Sequence, residues 1–158
     1  MGEAAERVVF DCVVFAQALI SDKGPSAACL ELARKGEVIL VCSVYVFQEV
    51  RELPGKLTKY AVTPERVDAF LREVATYCEF IDPVPHVYVN PLDPDDSPYI
   101  DLAVAGQATL VTSWNEDFRS LMDKNTPAGR DFQSRFPNLL IVSPVQLLDR
   151  VRRSRHGG

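Results

Sequence analysis

Asp11 stands at the end of a run that is otherwise apolar, with Val8-Val9-Phe10 before it and Cys12-Val13-Val14-Phe15 after it. A carboxylate among such neighbours is costly unless a cation, a metal or backbone N–H groups meet it. The plainest partner is the start of a following helix, which the side chain would cap. Glu49 interrupts the largely apolar Val44-Tyr45-Val46-Phe47-Gln48-Glu49-Val50, and Glu52, one turn on, is the second choice for the same role. In Asp93-Pro94-Asp95-Asp96, Asp96 can cap a helix and still face a crevice. Asp93 and Asp95 read there as helix-dipole partners, and Asp101, one turn further, as exposed. Asn115 and Asp117 follow an apolar strand, where such residues usually make turns. Each acid has an ordinary structural explanation by itself. Gathered in one crevice they would repel one another and raise their pKa values, a conflict that a hard divalent cation removes. Mg²⁺ or Mn²⁺ suits such oxygen ligands, and a site of that kind activates water against a phosphoryl group.

The elements that must position these residues alternate between strand and helix. Arg7–Phe10, Val38–Cys42, Glu79–Ile81, Ala108–Thr112 and Leu139–Val142 read as short strands, several of them continuous apolar runs of the kind buried on both faces. Helices are expected over 13–20, 25–35, 44–53, 64–77, from about 98 to 105, 116–122 and 144–150. Their signals are Pro25 with a stop at Gly36, caps at Ser43, Thr63 and Ser143, and a break at Pro54-Gly55. Residues 82–98 read as a Pro-rich loop with one extended stretch at Val87–Val89, and 123–137 as a polar loop. The pattern predicts a three-layer α/β/α fold with a central, mostly parallel five-stranded sheet. In such a sheet, ligands bind beyond the carboxyl ends of the strands, where Asp11, Asn115 and Asp117 fall and to which Glu49 and Asp96 are adjacent.

At 158 residues, 47% hydrophobic and 25% charged, the chain fits one globular domain, here assigned to residues 1–150. Residues 151–158, with Arg152, Arg153 and Arg155 before Gly-Gly, read as a basic, disordered tail, and the first six residues as a loose lead-in. No apolar run approaches the ~20 residues of a membrane span, and the acidic N-terminus is unlike a signal peptide. The net charge of −5 excludes a simple basic nucleic-acid binder. Cys12, Cys29, Cys42 and Cys78 form no C-x-x-C pair, and His86 and His156 are the only histidines. Zinc is therefore disfavoured, and a reduced, cytoplasmic protein is expected.

The chain resembles the PIN-domain family, in particular bacterial PIN-family toxins of toxin–antitoxin pairs. The resemblance spans roughly Val8 to Val145. It rests on Val8-Val9-Phe10-Asp11 with Val13-Val14, Gly24-Pro25, Leu40-Val41-Cys42-Ser43 with Glu49 and Leu53, Asp93-Pro94-Asp95-Asp96 with Leu102-Ala103-Val104-Ala105, and Leu110-Val111-Thr112 with Asp117. It implies a parallel sheet, an acidic metal site and Mg²⁺- or Mn²⁺-dependent endoribonuclease activity. By position, Asp11, Glu49, Asp96 and Asp117 would be the catalytic, metal-binding quartet, with Ser43 and Asn115 in support. RNA would be the substrate, an antitoxin protein the partner, and a homodimer is possible.

Two places depart from the pattern: Cys12-Val13 where Thr and then Asn or Ser are common, and Ser113-Trp114 after the fourth strand. Val13 has no polar side-chain atom. It motivates the alternative of a degenerate, non-catalytic domain that binds RNA or protein. Trp114 reads as a core residue in preference to a base-stacking one. Arg7, Lys56, Lys59, Arg119, Lys124, Arg130 and Arg135 could rim the crevice, although their scatter also fits solvated surface. A haloacid-dehalogenase-type site would need an Asp in place of Val13, and a receiver domain would need further acids within Val8–Phe10. No nucleotide-binding glycine loop is present.

Overall fold

In the computed structural model, residues 5–60 and 62–156 are described. Five strands form one all-parallel sheet in the order β3-β2-β1-β4-β5. They are β1 (Glu6–Phe10), β2 (Val38–Cys42), β3 (Cys78–Phe80), β4 (Leu110–Thr112) and β5 (Leu140–Val142). The helices are α1 (Cys12–Ile20), α2 (Pro25–Arg34), α3 (Val44–Arg51), α4 (Leu53–Lys56), α5 (Pro64–Ala75), α6 (Ser97–Ala105), α7 (Glu116–Arg119), α8 (Pro127–Arg135) and α9 (Pro144–His156). Right-handed crossovers put α1 to α5 on one face and α6 to α8 on the other, and α9 returns to pack against α2. The expected three-layer architecture is therefore present.

Burial explains the strands. Val8, Val9, Leu40, Cys42 and Val111 are fully enclosed, because both faces of β1, β2 and β4 are covered. The expected caps form as well. Ser43 and Thr63 accept hydrogen bonds from Val46 N and Arg66 N, and Gly36 takes a left-handed turn (φ 77°) just past α2.

Three expectations change. The polar segment 123–137 contains α8, which opens with Thr126 accepting from Gly129 N and buries Phe132 against Tyr88 and Phe136. Gly129 is required there, because a Cβ would lie 1.9 Å from the Asp123 carbonyl oxygen. The stretch Val87–Val89 lies in a loop, as expected, and Tyr88 is buried beneath α8. The basic segment expected to be a disordered tail continues α9 to His156, with Val151 packed on the core margin and Arg155 paired with Glu37. Residues 157 and 158 lie outside the described residues. Of the expected lead-in, residues 1–4 also lie outside them, whereas Glu6 begins β1 and pairs with Arg150 at 2.6 Å.

The sheet order fixes where a site can be. From β1 the chain moves to β2 on one side, while β4 lies on the other side of β1. That reversal opens a crevice at the carboxyl ends of β1 and β4, the usual ligand position in doubly wound sheets.

Candidate functional site

Asp11 is the first residue past β1 and sits at that crevice. It is 5% exposed, and it caps α1 by accepting from Val14 N at 3.1 Å. Ser113, the first residue past β4, donates its hydroxyl to the other carboxylate oxygen. Ser113 also accepts from Asn115 N at 3.0 Å, so one buried hydroxyl ties the β1 end to the loop after β4. The capping reading of Asp11 therefore holds, and the capping side chain lies at the crevice. Burial pushes its pKa up to about 6 despite those two bonds, and the charge of Glu49 pushes the same way.

Asp96 ends a short 3₁₀ turn, Pro94–Asp96, immediately before α6. It is 7% exposed, and its one side-chain bond comes from Asn90 Nδ2 at 3.3 Å. Burial is the main cause that raises its pKa to about 7, with the charges of Asp93 and Asp11 adding to it. Glu49, half-buried on α3, is also raised, first by burial and then by the charges of Glu52 and Asp95. The Tyr99 hydroxyl opposes that shift by donating to Glu49 Oε1 at 2.6 Å. Asp11, Glu49 and Asp96 thus form one electrostatically linked group supplied by β1, α3 and the approach to α6.

The other expected residues take different positions. Asp117 is exposed in the first turn of α7 and is not among the leading charges acting on these three. Asn115 caps α7 by accepting from Asp117 N at 2.9 Å, and buried Ser43 caps α3. Asp101, expected at the surface, is 5% exposed. The loop after β3 folds back over α6, so Asp101 accepts from Val87 N and Tyr88 N and lies 2.7 Å from His86 Nδ1. Trp114 is half-buried against the core and donates to Ser26 Oγ at 2.8 Å, which agrees with the core reading. Arg7 pairs with Glu79 and Arg135 with Asp131, which fits solvated surface, whereas Lys56, paired with Glu52, lies close enough for its charge to lower the Glu49 pKa.

Tyr99, Ser113 and Asn90 contact the acids but carry no sequence signal for it. Tyr99 reads as a helical core aromatic, Ser113 as a turn residue and Asn90 as part of a Pro-rich loop. Asp95 was readable only as a dipole partner, yet its charge acts on both Glu49 and Asp96.

Among the described residues, no three His, Cys, Asp or Glu side chains are gathered as a preformed metal cage. The donor set instead fits a hard ion held by one or two carboxylates, the manner in which Mg²⁺ keeps most of its water. Thr112 Oγ1, fully buried at the end of β4, has no partner among the described residues, which leaves a further oxygen to be met by water or ligand.

An all-parallel α/β/α fold with linked carboxylates at its switch point defines a class of proteins built to place acids around a ligand. The PIN-domain family model matches residues 7–117, and the chain belongs to that family, whose members are generally nucleases. It is 29% identical over 121 residues to an uncharacterized protein of Methanocaldococcus jannaschii, an alignment covering 75% of this chain and 77% of the relative. No solved structure gives a significant match. No helix among the described residues is long and apolar enough to cross a membrane.

Proposed function

We propose that the protein is a divalent-metal-dependent endoribonuclease and the toxin of a toxin–antitoxin pair. The observation that carries the nuclease reading is the pair Asp11 and Asp96: two buried aspartates, the charge of Asp11 acting on Asp96 and Asp96 met by one donor, at the switch point of a PIN-family sheet. Asp11, Glu49, Asp96 and Asp117 would be the acids of the Mg²⁺ or Mn²⁺ site, one or two of them holding the ion directly and the others acting through its retained water. The ion supplies water activation and charge stabilisation at the phosphodiester. The chain's own residues set the geometry. Ser113 fixes the rotamer of Asp11, Asn90 orients Asp96, and Asn115 and Ser43 hold the starts of α7 and α3. The likeness of the strand-end segments to bacterial PIN-family toxins supports the toxin role. Exposed Val13 and Tyr45, beside Asp11 and Glu49, offer an apolar surface to an antitoxin protein or a second copy of the chain. The free cysteines accord with action in the cytoplasm.

A second reading, a degenerate domain that binds RNA or protein without cutting, is favoured by Val13. It is 48% exposed in the first turn of α1 and offers no polar atom next to Asp11. The test is cleavage of labelled single-stranded RNA with Mn²⁺, beside EDTA and beside Asp11→Asn. The nuclease reading expects metal-dependent cutting reduced on the order of 10³-fold in the variant. Binding of RNA without cutting would select the second reading.

A further inference from the structure

Tyr99 joins three elements through one atom. Its side chain is 4% exposed, on α6, one turn past Asp96. The hydroxyl donates to Glu49 Oε1 on α3 at 2.6 Å and accepts from Cys12 N, the first N–H of α1, at 3.1 Å. The phenol has one proton to donate, so this pattern assigns its direction: backbone to Tyr99, Tyr99 to Glu49. A bond from a neutral hydroxyl to a carboxylate is short and strong, and here it is held away from water. Only one Glu49 oxygen is taken. The long glutamate side chain loses its rotational freedom while Oε2 stays available. The same hydroxyl fixes the start of α1, whose cap is Asp11, so two of the acids are set relative to each other through a residue that is neither.

We propose that Tyr99 is the positioning residue of the acidic site, setting the Glu49 carboxylate for a divalent ion. This inference rests on the metal-dependent reading above. Its core packing does not require the hydroxyl, since Tyr99→Phe keeps the ring. The hydroxyl therefore serves the Glu49 carboxylate and the start of α1, not the packing of the ring.

The test is Mn²⁺ calorimetry on the full chain for the parent, Tyr99→Phe, Glu49→Gln and the double variant, with RNA cleavage kinetics alongside. Residues that orient metal ligands typically change metal affinity or activity about 10- to 100-fold. Tyr99→Phe is therefore expected to weaken Mn²⁺ binding about tenfold and lower kcat, with KM for RNA unchanged. Glu49→Gln should weaken binding at least as much, and the double variant no further, because Tyr99 acts through Glu49. Mn²⁺ affinity and kcat like the parent's in Tyr99→Phe would overturn the inference and leave the nuclease reading intact. Additive losses in the double variant would also overturn it. A parent chain that neither binds Mn²⁺ nor cuts RNA would remove the nuclease reading and this inference with it.

Discussion

Asp96 and Asp101 sit five positions apart along the same stretch of chain, and both are almost completely buried. Asp101 receives two backbone N–H groups and contacts His86, all from the loop that covers α6. Asp96 receives one longer bond from Asn90 and faces the charges of Asp93 and Asp11. Equal burial therefore conceals opposite roles. A carboxylate whose acceptor sites are filled by the fold organises the fold. One left short of donors and crowded by like charge carries an electrostatic cost that a cation would relieve. Burial alone does not separate Asp96 from Asp101; the supply of donors does.

The largest effect that separates the two is on catalysis. Asp96→Asn should reduce RNA cleavage on the order of 10²-fold or more while the chain stays folded, since the amide keeps the side-chain volume and removes the charge conflict. Asp101→Ala should do the reverse. It strands two N–H groups under the covering loop, for a loss of roughly 3 kcal/mol in stability and about 6–12 °C in Tm. Cleavage per folded molecule should stay within about threefold of the parent, which kinetics normalised to the folded fraction would check. A catalytic collapse in a folded Asp101 variant would dissolve the distinction.

A further effect concerns pH. Asp11 and Asp96 have folded pKa values of about 6 and about 7, above the unfolded carboxylate value of about 3.9. The folded chain thus binds more protons than the unfolded chain between about pH 4 and pH 7, so the contribution of these groups is greatest at low pH and declines as pH rises through that window. Asp96→Asn should flatten part of the decline, leaving the variant up to about 4 kcal/mol more stable relative to the parent at pH 8 than at pH 4. Thermal melts across that range measure it, and parallel curves would show that Asp96 carries no such burden.

How far the sequence reveals this depends on the range of each interaction. The strands were legible because β1, β2 and β4 are buried on both faces and read as unbroken apolar runs. Asp11 was legible because it breaks one. The same local signal was read at one place and not at another. Thr63-Pro64 opens α5 before an amphipathic stretch, while Thr126-Pro127 opens α8 before Ala-Gly-Arg-Asp, where Phe132 and Gly129 are the only buried residues. With so thin an apolar face, α8 holds through contacts with Tyr88 and Phe136, which no local window contains. Asp101 and Tyr99 were missed for the same reason: their partners lie 13 to 87 residues away in sequence. Asp117, marked by its position after β4, is exposed in the first turn of α7.

The most direct measurement is Mn²⁺ binding by calorimetry at pH 8, where all the acids can ionise, on the parent chain, Asp96→Asn and Asp101→Asn. The account predicts saturable binding in the parent, at least about a tenfold weakening in Asp96→Asn, and binding like the parent's in folded Asp101→Asn. A parent chain that binds no Mn²⁺, or an Asp96 variant that binds it as the parent does, would contradict it.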